Sequence, residues 1–111
     1  MLFRSDPIYY RRSLYCTRMM LDIACHLYEK QDSYQQVVAC MLQAQPGLYF
    51  KRYITDVQVA QKYGSLDGWE NCVGIVYSGS PFALCVYTHN AGGEDLVARC
   101  AKLFYDYTLG Q

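Results

Sequence analysis

The stretch Asp56-Val-Gln-Val-Ala-Gln-Lys-Tyr-Gly-Ser65 decides the fold of this chain. Val57 and Val59 alternate with a glutamine, which is the two-residue period of a half-buried strand. Lys62 then comes two residues before Gly64. Because a glycine has no Cβ, a ligand can approach the backbone there, and the N–H of Ser65 can point at a ligand oxygen. The stretch predicts a strand that presents a cation and a backbone donor to an anionic or carbonyl ligand.

The segments that follow predict two further strands. We expect strands over 57–64, 72–78 and 82–88, which are separated by turn residues at 65–68 and 78–81. Both connections are short, and short connections join antiparallel neighbours. The three strands should therefore form an antiparallel meander.

Apolar residues at helical spacing occur both before and after the predicted strands. We expect a first helix capped by Thr17 and a second helix that begins with a capping box formed by Ser33 and Gln36. Residues 1–12 are expected to form a loop, and residues 48–54 a short helical turn.

A last helix should follow the sheet, with Glu94 and Asp95 in its first turn, where acidic side chains suit the helix dipole. Helices must cover a sheet of this size. The sequence thus predicts an α+β fold, a three-stranded antiparallel meander packed against helices, with residues 1–111 as a single domain.

The overall charge of the chain limits the kinds of partner it can have. Ten basic and ten acidic residues give a formal net charge of zero. No single-sign field is available to attract nucleic acid or an anionic membrane, so we expect neither partner. No apolar run approaches the ~20 residues that span a bilayer, and the N-terminus lacks the pattern of a signal peptide.

The six cysteines show neither a Cys-x-x-Cys pair nor a zinc-finger spacing with histidine. We therefore expect no metal site and no cofactor. Their apolar neighbours predict six buried, unpaired thiols rather than a disulfide framework. If any bridge formed, Cys72 and Cys85 would be the best candidates, because they lie on strands predicted to be neighbours.

Three segments carry a resemblance to a known family: Val59-Ala-Gln-Lys-Tyr-Gly-Ser-Leu-Asp67, Cys72-Val-Gly-Ile-Val-Tyr77 and Pro81-Phe-Ala-Leu-Cys-Val-Tyr-Thr88. Together they resemble the C-terminal portion of class A β-lactamase-like serine hydrolases, which have a β-lactamase/transpeptidase-like fold. The motifs of that family are Ser-x-x-Lys, Ser-Asp-Asn and Lys-Thr-Gly. Lys62-Tyr63-Gly64 resembles the third motif, with tyrosine in place of threonine, and the resemblance covers about residues 14–108.

The resemblance implies a substrate-binding role for Lys62, Tyr63, Gly64 and Ser65. Lys62 would orient a substrate carboxylate, Tyr63 would donate a hydrogen bond through its phenol, and the Ser65 N–H would be an oxyanion donor. Each residue also has an ordinary structural explanation. Lys62 could protect an edge strand, Tyr63 could pack on the opposite face, Gly64 could form a bulge, and Ser65 could belong to a turn.

The resemblance does not extend to a nucleophile. No serine of the chain has a lysine three residues later. The serines are Ser5, Ser13, Ser33, Ser65, Ser78 and Ser80. Acyl transfer through serine needs a nucleophile within reach of a base. We therefore predict no catalytic residue in this chain and no turnover by the chain alone.

Two functions remain open. The first is the C-terminal part of a serine hydrolase that acts on a β-lactam or a cell-wall peptide-like amide once an N-terminal half completes it. The second is a non-catalytic binding or scaffold module, suggested by twelve tyrosines, a residue type that interfaces favour.

The resemblance also bears on location and assembly. The family usually works outside the cytoplasm, yet these residues carry no export signal, so we expect the chain to be part of a longer protein. In the family, the last strand of this part pairs with a strand from the other part. Without that strand, residues 82–88 would form an exposed apolar edge that favours self-association.

Overall fold

The computed structural model describes residues 16–110 and shows an α+β arrangement of three main helices and one three-stranded sheet. The predicted loop at 1–12, with Ser5 and Ser13, lies outside the described residues. Two helices precede the sheet, a short 3₁₀ turn connects them to it, and one helix follows. The elements are α1 (Thr17–Glu29), α2 (Gln35–Gln43), the 3₁₀ turn (Tyr49–Lys51), β1 (Val59–Leu66), β2 (Trp69–Val76), β3 (Phe82–His89) and α3 (Gly93–Leu109).

The strands form the predicted meander. The sheet order is β1-β2-β3, and both pairs are antiparallel. The first hairpin is tighter than the sequence suggested, because β1 continues to Leu66 and pairs there with Trp69. Only Asp67 and Gly68 form the turn, at φ 51° and 85°. Positive φ at both central residues is the type I′ geometry that matches the twist of a hairpin.

Each face of the sheet carries its own apolar cluster. On one face, α3 and the 3₁₀ turn cover a core that includes Phe50, Val76 and Val97. On the other face, α1 and α2 cover a smaller cluster around Ala60 and Ile75. The alternation of side chains along a strand produces this division. β2, as the central strand, contributes to both clusters.

The helix starts differ from those predicted. Residue Thr17 is the first residue of α1, Cys16 is its N-cap, and no side chain bonds to the free amides there. The predicted capping box of Ser33 and Gln36 is wrong, since α2 begins at Gln35 with Tyr34 as its N-cap and no side-chain cap. In place of a box, the backbone N–H of Tyr34 donates to Lys30 O and Gln31 O, so a turn leads into the helix.

A buried glutamine joins β1 to the segment between α2 and the 3₁₀ turn. The Gln61 side chain is fully buried, and its Oε1 accepts a hydrogen bond of 2.9 Å from the N–H of Phe50. Its Nε2 donates to the backbone oxygen of Leu48 at 3.1 Å, with longer contacts to Ala44 and Gln45. These bonds fix the 3₁₀ turn beside the strand that carries the candidate site.

The prediction that the six cysteines are unpaired is correct, but the prediction that all six are buried is wrong. All six thiols are free, but Cys16, Cys25 and Cys40 are exposed and only Cys72 is fully buried. Apolar neighbours in sequence do not report which side of a helix a residue occupies. Cys85 lies opposite Val73 in the register, so it projects from the opposite face to Cys72, and the suggested pair cannot meet.

Candidate functional site at the β1 edge

The outer edge of β1 presents backbone groups that no described strand uses. The two-residue hairpin makes Leu66 and Trp69 a hydrogen-bonded pair, and this pattern alternates along the strands. The bond from Tyr77 N to Gln58 O, 3.0 Å long, continues the same alternation at the far end. The N–H and C=O groups of Tyr63 and Ser65 therefore point away from β2. Within residues 16–110, no strand pairs with them there.

The Lys62 ammonium lies at this same edge. Its side chain is exposed and leaves the sheet on the face covered by α2, because its neighbour Ala60 packs in that cluster. The Nζ atom nevertheless donates to the carbonyl oxygen of Tyr63 and lies 4.9 Å from the centre of the Tyr63 ring. The ammonium thus reaches the edge to which the Ser65 N–H also points. Lys62 and the outward N–H of Ser65 thus lie on the same edge of β1.

Gly64 lies between these two groups and keeps the surface open. It is exposed, and an added Cβ at this position would meet no atom within 4 Å. No bulge is present at Gly64, because it pairs in register with Asn71. The strand therefore stays regular through the Lys-Tyr-Gly motif.

Tyr63 packs on the core side of the sheet. Its ring centre lies 5.1 Å from that of Tyr49, and it contacts the cluster beneath α3. This placement agrees with the packing alternative for Tyr63. Its aromatic ring supports the strand from one face, while its carbonyl oxygen holds the Lys62 ammonium at the edge.

Glu70, which lies outside the Lys-Tyr-Gly motif, links Ser65 of β1 to Tyr49 of the 3₁₀ turn. The Glu70 carboxylate accepts 2.7 Å from the hydroxyl of Ser65, its cross-strand partner, and 2.8 Å from the hydroxyl of Tyr49. Two neutral donors hold this carboxylate, and no ion pair involves it among the described residues. Ser65 is thus a strand residue with a fixed side chain, and the prediction that it belongs to a turn is wrong.

This environment changes the acidity of Tyr49. Burial, followed by the hydrogen bond to the Glu70 carboxylate, raises the pKa of the Tyr49 hydroxyl well above its ordinary value. Tyr49 therefore stays protonated at neutral pH and donates to Glu70. Its backbone N–H also donates to Glu94 at 2.8 Å, which ties the 3₁₀ turn to the start of α3. Through Tyr49, the β1 edge is thus linked to the start of α3.

A comparison with protein families matches residues 6–108 to the beta-lactamase enzyme family. The match covers both faces of the sheet and all of the candidate site. The chain belongs to the beta-lactamase enzyme family. A comparison with curated proteins gave no match.

Membership of the beta-lactamase enzyme family suggests a hydrolase-type function and a β-lactam as the substrate class. Two further observations concern the described part of the chain. No helix within 16–110 has both the length and the apolar character needed to cross a membrane. No group of three or more His, Cys, Asp or Glu side chains in these residues is arranged to hold a metal ion.

The sequence motif identified some of the residues at this edge and missed others. Lys62, Gly64 and Ser65 stood out because a short motif contains them, whereas Tyr49 and Glu70 lie outside it. A signal for Glu70 did exist. A two-residue Asp-Gly turn at 67–68 would have placed it directly opposite Ser65.

Proposed function

We propose that this chain forms the C-terminal part of a class A β-lactamase-like serine hydrolase, which hydrolyses a β-lactam or peptidoglycan-like amide through an acyl-serine. The observation that supports the proposal best is the shared position of the Lys62 ammonium and the outward-pointing Ser65 N–H on one open strand edge. Lys62, Tyr63, Gly64 and Ser65 would line one side of the substrate.

Each residue has a distinct role in this proposal. The Ser65 N–H donates to the carbonyl oxygen that becomes negative when the acyl group is attacked. The Lys62 ammonium attracts an anionic group of the substrate and supports proton transfer near the nucleophile. Gly64 lets the substrate lie close to the backbone. The Tyr63 ring is held against Tyr49, so only its hydroxyl is available to take the role of the family's threonine.

The nucleophile of the proposed reaction comes from residues other than these 111. A serine hydroxyl attacks the amide carbon, the C–N bond breaks, and the amine leaves with a proton; water then hydrolyses the ester. None of the serines here has the Ser-x-x-Lys context. The proposed reaction therefore needs a segment that supplies that motif beside the β1 edge.

Reconstitution tests the proposal. Nitrocefin hydrolysis is measured with the chain alone and with a family segment that contains Ser-x-x-Lys, either mixed in or fused to the chain. We expect no turnover by the chain alone and turnover after completion. In the completed enzyme, Lys62→Met should lower kcat/KM by about 100-fold, the order seen when a charge-stabilising group is lost. Lys30→Met removes an exposed lysine next to α1 and should leave the rate unchanged.

Two results would overturn this proposal. One is hydrolysis by the isolated chain that persists through purification, since no serine of these 111 residues has a lysine three residues later. The other is a completed enzyme whose rate is the same with Lys62→Met as with Lys30→Met.

The alternative function, a binding module with a tyrosine-rich surface, has less support. Tyr28, Tyr34 and Tyr107 are exposed, whereas the other described tyrosines are buried or half-buried. Tyr49 and Tyr105 are fully part of the core. The tyrosines contribute mainly to packing, so their number alone does not indicate a docking surface.

A further inference from the structure

Tyr49, the first residue of the 3₁₀ turn, has a backbone conformation that few tyrosines adopt. Its φ is 53°, in the left-handed region, where a bulky side chain is strained. Such a conformation persists only where the surrounding structure holds it, and strained residues concentrate at functional sites. Tyr49 is also buried, with 5% of its surface exposed. The groups that hold Tyr49 therefore identify the part of the fold that its conformation serves.

Polar and aromatic contacts hold Tyr49 in this conformation. Its backbone N–H donates to Glu94 at 2.8 Å. Its hydroxyl donates to Glu70 at 2.8 Å, and its ring centre lies 5.1 Å from that of Tyr63. A strained and buried residue is thus fixed against the middle residue of the Lys-Tyr-Gly motif, and against the carboxylate that accepts from Ser65.

Glu70 gives Ser65 a bond to β2 that the strand ladder does not supply. The Ser65–Glu70 pair is a non-hydrogen-bonded pair, because the next pair, Leu66–Trp69, is hydrogen-bonded and the pattern alternates. The backbone of Ser65 therefore makes no bond to β2, and its hydroxyl makes one instead, at 2.7 Å to Glu70. Glu70 is a firm anchor, since it lies on the central strand and its backbone oxygen accepts 2.7 Å from the hydroxyl of Thr88.

This bond separates the two polar groups of Ser65. The hydroxyl is turned towards the face of the sheet on which Glu70 and Tyr49 lie. The N–H lies in the plane of the sheet and points out of the open edge. A ligand at the β1 edge therefore meets the N–H of Ser65, while the hydroxyl is held by the protein.

We propose that Glu70 and Tyr49 are positioning residues, which hold Ser65 through its hydroxyl so that its N–H keeps a fixed direction as the oxyanion donor. This inference rests on the proposed hydrolase function and adds to it two residues outside the Lys-Tyr-Gly motif. Neither of them touches the substrate. The Ser65 hydroxyl supports the strand edge and makes no substrate contact.

Nitrocefin kinetics of the completed enzyme test the proposal. Ser65→Ala and Glu70→Ala should each lower kcat about 10-fold and change KM by less than about twofold, because a misdirected donor weakens the transition state more than the bound substrate. The double variant should lose no more than either single variant, since both substitutions break the same hydrogen bond. Ser65→Thr keeps the hydroxyl and should retain kcat within about twofold. Glu29→Ala removes an exposed carboxylate of α1 and should leave both constants unchanged.

Nitrogen-15 relaxation of the chain alone gives a second measurement that does not depend on turnover. It reports how far the Ser65 N–H vector moves on the picosecond to nanosecond timescale. We expect an order parameter of about 0.85 in the unmodified chain, the value of rigid backbone. Glu70→Ala, Tyr49→Phe and Ser65→Ala should each lower it, and Glu29→Ala should not.

The proposal is wrong if any of three results is obtained. The first is a set of additive losses in the double variant, which would show that the Ser65 hydroxyl contacts the substrate itself. The second is a kcat that Ser65→Ala leaves unchanged. The third is a Ser65 order parameter that Glu70→Ala and Tyr49→Phe leave unchanged. If the completed enzyme with every native residue fails to hydrolyse nitrocefin, the proposed function fails, and the order parameters still decide whether Glu70 and Tyr49 hold Ser65.

Discussion

At the scale of single residues, one buried and one half-buried polar side chain hold the β1 edge in place. Gln61 hydrogen-bonds to the backbone of the 3₁₀ turn and the residues before it, and the Glu70 carboxylate accepts hydrogen bonds from the hydroxyls of Ser65 and Tyr49. No buried side-chain polar atom among the described residues lacks a hydrogen-bond partner. Removing one partner of such a set costs more than the bond itself, because the other partner stays buried without one.

Gln61→Leu tests this cost directly. Leucine fills a similar volume but leaves the buried N–H of Phe50 without an acceptor, so we expect the free energy of unfolding to fall by about 2–3 kcal/mol. Urea unfolding followed by circular dichroism measures the change. Gln58→Leu, at an exposed position of the same segment, should change stability by less than about 0.5 kcal/mol. Equal losses in the two variants would show that the Gln61 bonds contribute nothing specific.

We expect Cys72 to make the stability of the fold depend on alkaline pH. Burial raises the pKa of the Cys72 thiol to about 12. The unfolded chain loses this proton near pH 9, whereas the folded chain keeps it until about pH 12. Deprotonation therefore stabilises the unfolded state, and the free energy of unfolding falls as pH rises from about 9 to about 12. One such thiol costs about 1.4 kcal/mol between pH 7 and pH 10.

The Cys72→Ala variant isolates this contribution. It should lower stability at pH 7, because it leaves a small cavity, yet lose about 1.4 kcal/mol less than the unmodified chain between pH 7 and pH 10. Chemical denaturation at both pH values gives the difference. Cys40→Ala removes an exposed thiol and should keep the full pH dependence. If Cys72→Ala also kept the full dependence, the alkaline loss would have another origin.

At the scale of elements, the sequence predicted the strands better than the helix starts. Alternation of apolar residues is a property of the strand itself, so β1, β2 and β3 could be predicted along with their antiparallel order. The start of α2 could not, since a backbone turn replaces the side-chain cap. The contact of Glu70 with Tyr49, 21 residues apart in sequence, forms only after the chain has folded.

The first hairpin depends on one glycine. Gly68 has φ 85°, and an added Cβ would lie 1.9 Å from Oδ1 of Asn90. Gly68→Ala therefore imposes both an unfavourable backbone conformation and a displaced asparagine, and we expect a loss of about 1–3 kcal/mol. Thermal unfolding should show a lower Tm. Gly79→Ala, where no φ is positive and no atom lies within 4 Å, should leave Tm nearly unchanged or raise it. A similar Tm for the two variants would contradict this account of the hairpin.

At the scale of the whole molecule, one sheet separates two apolar clusters that share no side chain. Ile75 belongs to the cluster beneath α1 and α2, and Val76 to the cluster beneath α3. These neighbours on β2 project from opposite faces of the same backbone. Neither cluster can persist once the strand that both use has unfolded. We therefore expect the described fold to behave as one cooperative unit.

Paired substitutions on β2 test that cooperativity. Ile75→Ala and Val76→Ala each remove buried methyl groups from one face only, and each should lower the free energy of unfolding by about 2–4 kcal/mol. Far-ultraviolet circular dichroism, which reports the helices, and near-ultraviolet circular dichroism, which reports the packed tyrosines, should give coincident urea transitions in both variants. Leu109→Ala, at a residue exposed by 60%, should leave the midpoint almost unchanged. Two separate transitions, one shifted only by Ile75→Ala and the other only by Val76→Ala, would show instead that the two faces of the sheet unfold independently. In that case the β1 edge, which Tyr63 and Gln61 support from the α3 face, would depend on the stability of that face alone.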